Sequence, residues 1–199
     1  MKDSFRRLVV LSSGLGSNLK SIINSVHGKD GIIISAVVSD KPSHSLKIAI
    51  QSGITCLFLP QQEKQSNISY NNFLYEFIKP FDPDFIVMAG FMRLLSSKFI
   101  GHYLNRIINI HPSLLPKYKG LNTHQRVLEN DEKVHGTTIH FVNQSLDAGQ
   151  IIAQKSIKIS QIDTAESLKR KIKDIENVFY PKIIKQLCKD KNEINFNRK

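Results

Sequence analysis

Short apolar runs rich in valine and isoleucine recur along the N-terminal half of the chain, and amphipathic segments separate them. The runs cover residues 8–13, 31–39, 55–59, 84–90 and 106–110. Strands that are buried on both faces have this composition, and helices formed by the intervening segments would cover those faces. The alternation predicts an α/β fold with a Rossmann-like, mostly parallel sheet and helices on both of its faces.

The pattern changes after residue 111. Residues 135–143 and 149–160 alternate apolar and polar side chains and lie only a few residues apart, which predicts an antiparallel C-terminal hairpin at the edge of the sheet. The spacing of Asp163 and Glu166 predicts a capping box at the start of a last, amphipathic helix. The earlier helices are expected to begin near Asn18, Ser43, Ser69 and Leu94.

The chain is strongly basic, with a net charge of +11 that indicates anionic partners. About half of the excess lies after residue 163, but no motif for nucleic-acid binding accompanies it. We therefore expect small phosphorylated or carboxylate ligands and no nucleic acid. Since the sequence contains neither a run of about 18 apolar residues nor a signal-peptide pattern, we expect a cytoplasmic protein without membrane contact.

The loop SSGLGSNL, residues 12–19, separates the first predicted strand from the first helix. Backbone N–H groups at a helix start attract anions, and glycine lets the backbone approach them, so we predict a single phosphate at Gly16, Ser17 and Asn18. A dinucleotide site with Asp40 on the ribose is disfavoured because Leu19 stands where that fingerprint needs a third glycine. A plain turn capped by Ser17 or Asn18 is the other alternative.

Asn109 and His111 end the strand predicted at 106–110. Residues two apart on a strand project from the same face, so this amide and this imidazole should point together at whatever lies above the strand end. Such a pair can hold an oxyanion and move a proton, which are the two requirements of acyl transfer. A structural role, with His111 capping a loop and Asn109 bonding nearby backbone, is the alternative.

The segment from Asp147 to Gly149 lies between two extended segments and is typical of a turn. A carboxylate brought close to His111 would stabilise its imidazolium form, although the sequence does not show that the two approach. We expect no metal site. Cys56 and Cys188 are far apart in the sequence, and the two histidines of the predicted hairpin strand, at positions 135 and 140, should face opposite sides.

Five segments resemble, in order, the glycinamide ribonucleotide transformylases of the folate-dependent formyltransferase family. They are SSGLGSNL, AGFMRLLS (89–96), NIHPSLLPKYKG (109–120), HGTTIHFVNQSLDAG (135–149) and ENVFYP (176–181). The resemblance runs from about residue 7 to residue 187. It implies transfer of a formyl group from 10-formyltetrahydrofolate to the glycine amine of glycinamide ribonucleotide in de novo purine biosynthesis, without a metal.

The resemblance also implies roles for individual residues. The N-terminal loop would hold the substrate phosphate, and Asn109 and His111 would meet the formyl oxygen. Asp147 would keep His111 protonated and assist proton transfer to the departing folate nitrogen. Glu176 would contact the glycinamide substrate. Folate would be bound by Met92, Arg93, Leu94, Leu95, Val142 and the loop from Asn143 to Asp147. Asn67 departs from the family, because many members carry an arginine there that meets the folate tail.

We expect one formyltransferase domain over residues 1–199, acting as a monomer or homodimer on small molecules. Within it, about 1–105 would form a phosphate-binding Rossmann-like half and about 106–188 a catalytic and folate-binding half, followed by a tail at 189–199. Two other functions stay open. One is a formyltetrahydrofolate hydrolase, in which water replaces the amine, and the other is a basic nucleic-acid-binding module that uses the lysine-rich C-terminal helix.

Overall fold

The computed structural model describes residues 5–189, so all but the first residue of the predicted tail lies outside the described part. Seven strands form one sheet in the order β3-β2-β1-β4-β5-β6-β7. The strands are β1 Arg6–Leu11, β2 Ile32–Ser39, β3 Cys56–Phe58, β4 Phe85–Met88, β5 Ile107–His111, β6 Val134–Phe141 and β7 Ile151–Lys158. The first five strands are parallel, whereas β6 is antiparallel to β5 and β7 to β6. Both the predicted parallel sheet and its antiparallel hairpin are confirmed.

The described residues also form six α-helices and one short 3-10 helix, and all of them but the last α-helix lie between strands along the chain. They are α1 Ser17–Val26, α2 His44–Gln51, α3 Asn67–Ile78, the 3-10 helix Lys79–Phe81, α4 Ser97–His102, α5 Thr123–Glu129 and α6 Ala165–Lys189. The first three α-helices begin within two residues of the predicted positions. Helix α4 begins three residues later than predicted, because Ser96 accepts a hydrogen bond from the Phe99 N–H and so caps it.

The capping box predicted for α6 is wrong by one residue. Thr164 and Ser167 form it reciprocally, since the Thr164 Oγ1 accepts from the Ser167 N–H and the Ser167 Oγ accepts from the Thr164 N–H. Asp163 instead accepts from the Ser167 hydroxyl and from the Lys171 ammonium, at 2.6 and 2.7 Å. Glu166 is exposed in the first turn of the helix.

Apolar side chains cover the sheet on both faces. On one face Leu8 and Val10 of β1 pack among residues of α1, α2 and α6, and on the other Val9 and Leu11 pack among residues of α3 and α4. This two-sided burial explains why the parallel strands are almost uniformly apolar. No helix in residues 5–189 is long and apolar enough to cross a membrane.

The order of the strands indicates where a ligand should bind. Strands β1 and β4 are neighbours, but the chain leaves β1 towards β2 on one side and later continues from β4 to β5 on the other. A crevice opens at such a reversal, outside the carboxyl ends of the strands, and ligands of open α/β sheets bind there. The carboxyl ends of β1, β4 and β5 meet at this edge. The predicted phosphate residues follow β1, four of the predicted folate residues follow β4, and Asn109 and His111 end β5.

Candidate active site

The loop after β1 has the geometry of an anion site. Gly16 occupies the N-cap of α1 with φ +78°, and no side chain from the described part of the protein caps the helix start. A Cβ at Gly16 would lie 2.8 Å from Cδ1 of Ile48, so the α2 side chains leave room only for glycine. The first N–H groups of α1, including those of Ser17 and Asn18, are therefore available to an incoming anion.

Two polar atoms at this loop are buried without a hydrogen-bond partner among the described residues. They are the Ser13 Oγ and the Asn18 Oδ1. Buried polar atoms are usually paired, so these two mark a place where a bound molecule is expected to supply the missing bonds. Asp40, the residue weighed for a nucleotide ribose, instead accepts a 2.5 Å bond from the Arg93 Nε.

His111 and Asp147 come together although 35 residues separate them in the sequence. The His111 Nδ1 lies 3.3 Å from the Asp147 Oδ2, and both side chains are more than nine-tenths buried. The His111 Nε2 lies 2.9 Å from the Tyr118 carbonyl oxygen. Both ring nitrogens thus face acceptors, and only the doubly protonated imidazolium satisfies both, so we assign His111 that form.

Asn109 lies beside this pair and is oriented by His140. The His140 Nδ1–H donates to the Phe141 carbonyl at 2.8 Å, which leaves its Nε2 as an acceptor 3.4 Å from the Asn109 amide nitrogen. Burial lowers the pKa of His140, although the Phe141 carbonyl and Asp147 act in the opposite direction. A neutral His140 thus takes one Asn109 N–H and leaves the second free for a ligand.

The turn that carries Asp147 is held tightly in place. Asp147 adopts φ +45°, and its Oδ2 also accepts a 2.9 Å bond from the Gly120 N–H, which ties the turn to the loop after β5. A Cβ on Gly149 would lie 1.6 Å from the Phe141 carbonyl oxygen. Only glycine therefore lets the chain pass so close to the end of β6, and this passage sets the position of Asp147.

Gly149→Ala is expected to destabilise the protein by about 3 kcal/mol, because the backbone must shift to make room for the methyl group. Turnover should fall as well, since Asp147 would move from His111. Gly101→Ala in α4 is the matched control, because no atom lies within 4 Å of its added methyl group. Urea unfolding of both variants measures the difference, and equal free energies of unfolding would contradict this account of the turn.

The predicted folate residues border the same edge of the sheet. Met92 and Leu94 are 73% and 62% exposed, so they are not core residues. Leu95 and Val142 are half-buried against the core face that α3 and α4 cover. The Arg93 guanidinium is held by Asp40 and by the Gln61 side-chain oxygen and lies over the Tyr70 ring. It is therefore already engaged, so a contact from residue 93 to a ligand falls to its backbone.

Glu176 and Asn143 lie at different depths. Glu176 is 8% exposed, and its Oε2 accepts a 3.1 Å bond from the Asn18 amide, so it is in contact with the phosphate loop. Asn143 is exposed, and its amide donates to the Ala148 carbonyl across the loop that contains Asp147. The structure thus brings Asn18 to Glu176 and His111 to Asp147, and it brings Asn109 to His140.

Sequence reasoning missed the contribution of His140. His135 and His140 face opposite sides of β6, as their spacing predicts. His140 faces Asn109, whereas the His135 Nε2 lies 2.9 Å from the His124 Nδ1. Burial lowers the pKa of His135 to about 4. An antiparallel register that places position 140 opposite Asn109 was the signal that could have found His140. In residues 5–189 no group of three or more His, Cys, Asp or Glu side chains could hold a metal ion.

Comparison with known proteins gives this geometry its context. The sequence family described as formyl transferase matches residues 6–184. The chain belongs to the formyl transferase family. It is 41% identical over 179 residues to the phosphoribosylglycinamide formyltransferase of Escherichia coli (strain K12), an alignment that covers 89% of this chain and 84% of that protein. The corresponding protein of Haemophilus influenzae is 37% identical over 182 residues, with 90% and 86% covered.

Solved structures agree. The phosphoribosylglycinamide formyltransferase of Coxiella burnetii superposes with a TM-score of 0.88 at 42% identity, covering 92% of this chain and 87% of that one. The glycinamide ribonucleotide transformylase 1 of Symbiobacterium toebii superposes with a TM-score of 0.89 at 33% identity, with 94% and 89% covered. This formyltransferase therefore shares its α/β fold with them, and its family uses a folate-derived formyl donor.

Proposed function

We propose that this formyltransferase transfers the formyl group of 10-formyltetrahydrofolate to the glycine amine of glycinamide ribonucleotide, a step of de novo purine biosynthesis. The observation that carries the proposal is the buried His111–Asp147 pair beside the amide of Asn109, at the sheet edge that also bears the phosphate loop. The names of the similar proteins support the same reaction. The enzyme works in the cytoplasm, as a monomer or homodimer, without a metal.

Gly16, Ser17 and Asn18 bind the substrate phosphate. The backbone N–H groups that open α1 supply donors, and the free N-terminus of the helix supplies positive partial charge. Glu176 contacts the glycinamide ribonucleotide from the side of α6, where it already bonds to Asn18. We assign phosphate binding to the half formed by about residues 1–105, and catalysis to the half formed by about residues 106–188, which also carries Glu176.

The formyl oxygen accepts hydrogen bonds from Asn109 and His111. The second N–H of the Asn109 amide has no partner within residues 5–189, and the His111 Nε2–H changes partner from the Tyr118 carbonyl to the formyl oxygen. As the substrate amine attacks the formyl carbon, negative charge builds on that oxygen, and a neutral amide donor and an imidazolium are both suited to stabilise it.

Asp147 holds His111 in the imidazolium form and assists the proton balance. The attacking amine loses a proton, and the folate nitrogen gains one as its bond to the formyl carbon breaks. A buried carboxylate beside the imidazolium can relay this proton through water. The reaction needs no metal-activated nucleophile, because the substrate amine attacks directly.

The folate donor lies along the loops after β4 and β6. The exposed apolar side chains of Met92 and Leu94, with the half-buried Leu95 and Val142, offer a flat apolar surface to a pterin ring. Arg93 contributes through its backbone, because its guanidinium is engaged elsewhere. Asn143 and the following residues up to Asp147 form the folate-binding loop, and a bond from the Asn143 amide to the Ala148 carbonyl spans it.

The test is the dependence of folate deformylation on the acceptor. We expect 10-formyltetrahydrofolate to be consumed only when glycinamide ribonucleotide is present, with one formylated ribonucleotide formed per tetrahydrofolate released. Consumption at the same rate without the acceptor would overturn the proposal and assign a hydrolase. Salt-sensitive binding to nucleic acid that survives replacement of Asn109 and His111 would instead assign a nucleic-acid-binding protein.

A further inference from the structure

A buried chain of hydrogen bonds connects the phosphate loop to β5. The Asn18 amide donates to the Glu176 Oε2 at 3.1 Å, and the Glu176 Oε1 lies 3.1 Å from the Thr137 hydroxyl oxygen. The same hydroxyl oxygen lies 2.9 Å from the His111 carbonyl oxygen. That carbonyl also accepts from the Ser113 N–H at 2.8 Å and so holds the turn that follows β5.

The number of hydrogen atoms available to this chain of hydrogen bonds determines whether Glu176 is protonated. A threonine hydroxyl has one hydrogen to donate, and a backbone carbonyl can only accept. If the Thr137 hydroxyl donates to the His111 carbonyl, it must act as an acceptor towards the Glu176 Oε1. An ionised carboxylate has no hydrogen to give. One of these two contacts, at 2.9 or 3.1 Å, would then bring two oxygen atoms together with no hydrogen between them, which is costly in a buried place.

We propose that Glu176 is a neutral carboxylic acid in the folded enzyme, and that together with Thr137 it positions His111 from the side of the sheet covered by α6. The Glu176 Oε1–H donates to Thr137, the Thr137 hydroxyl donates to the His111 carbonyl, and the Glu176 Oε2 accepts from Asn18. Every bond of the chain then has one donor and one acceptor. The substrate phosphate at Asn18 and the imidazolium at His111 are thereby joined through α6.

The surroundings of Glu176 agree with this assignment. Burial is the largest influence on the pKa of Glu176 and raises it. A bond from Asn18, the charge of Lys173 on the same helix and, only in the ionised form of the carboxyl, a bond donated by Thr137 act in the opposite direction. The groups that touch the carboxyl from α1 and β6 are an uncharged amide and a hydroxyl. Tyr180, one turn further along α6, directs its hydroxyl to the Met88 and Ile108 carbonyls.

Glu176→Gln tests the proton on Glu176 without using enzyme activity. A glutamine amide donates from Nε2 and accepts at its oxygen, so it reproduces the bonds of the neutral acid. In the parent, Glu176 takes up a proton on folding above about pH 4.3, so the parent loses stability as the pH rises. The melting temperature of the variant relative to the parent should therefore rise between about pH 4.5 and about pH 7.

Glu63→Gln, at an exposed position, is the matched control, and its difference from the parent should not change with pH. The proposal would be overturned if the melting temperature of Glu176→Gln relative to the parent stays constant, or falls, as the pH rises.

If the variant does not fold, carbon-13 NMR of the parent tests the proton on Glu176 instead. Glu176 is the only buried glutamate in residues 5–189, so we expect one glutamate carboxyl signal at the protonated position at neutral pH. Only ionised signals would overturn the proposal.

Replacement of Thr137 tests the positioning of His111. This kinetic test, unlike the two before it, rests on the proposed function. Thr137→Val removes the hydroxyl and is expected to lower kcat about ten-fold or more with a smaller change in KM, because the imidazolium loses its fixed place. Thr137→Ser keeps the hydroxyl and should recover most of that loss. Equal losses in both variants would overturn the relay. Absence of formyl transfer in the parent would overturn the proposed function alone, since the stability and NMR results do not depend on it.

Discussion

Asn109→Ala is expected to lower kcat for formyl transfer about a hundred- to a thousand-fold, the loss typical of one oxyanion donor. The Asn109 amide is held by the neutral His140 and keeps one N–H unpaired among the described residues. The hydrogen bond from that N–H becomes strong only when negative charge builds on the formyl oxygen. KM for both substrates should change much less than kcat, because the ground state loses only a weak contact.

Steady-state kinetics at saturating acceptor measures this loss, with circular dichroism to show that the fold survives. Asn72→Ala is the control, because Asn72 is an exposed asparagine of α3 to which we assign no part in the site, and its kcat should equal that of the parent. A kcat for Asn109→Ala within about three-fold of the parent would remove Asn109 from the oxyanion site.

Asp147→Asn is expected to lower kcat about a thousand-fold or more, as replacement of the buried carboxylate partner does in histidine-based triads. The amide can still accept from the Gly120 N–H, so the turn should keep its place. It cannot stabilise the imidazolium of His111, which lies 3.3 Å away in the parent. The loss should therefore come from charge and not from geometry.

The pH dependence of kcat separates these two causes. The variant places an amide where the parent has a carboxylate beside the same imidazolium. A loss that comes from charge should therefore shift the low-pH arm of the profile, whereas a loss that comes from geometry should leave that arm in place. An unchanged low-pH arm would show that Asp147 has no part in the proton balance.

The strands could be predicted because their pattern is local. A strand that is buried on both faces requires an unbroken apolar run, and the buried part of β1 and the whole of β4 show such runs. Helix α5 could not be predicted in this way, since of its residues only Thr123 and Val127 are buried and no apolar stripe forms. At the start of α6, both Asp163 and Thr164 are good capping residues, and only the tertiary contact of Asp163 with Lys171 decides between them.

In the site, too, the features that follow from local sequence could be predicted, and those that depend on long-range contacts could not. The side-by-side placement of Asn109 and His111 follows from the two-residue period of a strand. The approach of Asp147 depends on the β6–β7 turn and on a glycine that lets the chain pass the Phe141 carbonyl, which no local pattern shows. The roles of His140 and Thr137 depend on the register between β5 and β6, and antiparallel register is set by long-range pairing.

The account holds that the Asn109 amide and the Asp147-supported imidazolium act together on one formyl oxygen. Single-turnover rates of Asn109→Ala, Asp147→Asn and the double variant test this most directly. Groups that act as a unit give strongly non-additive losses, so the double variant should be little slower than the slower single variant. A loss in the double variant equal to the product of the two single losses would contradict the account, because the two groups would then act independently.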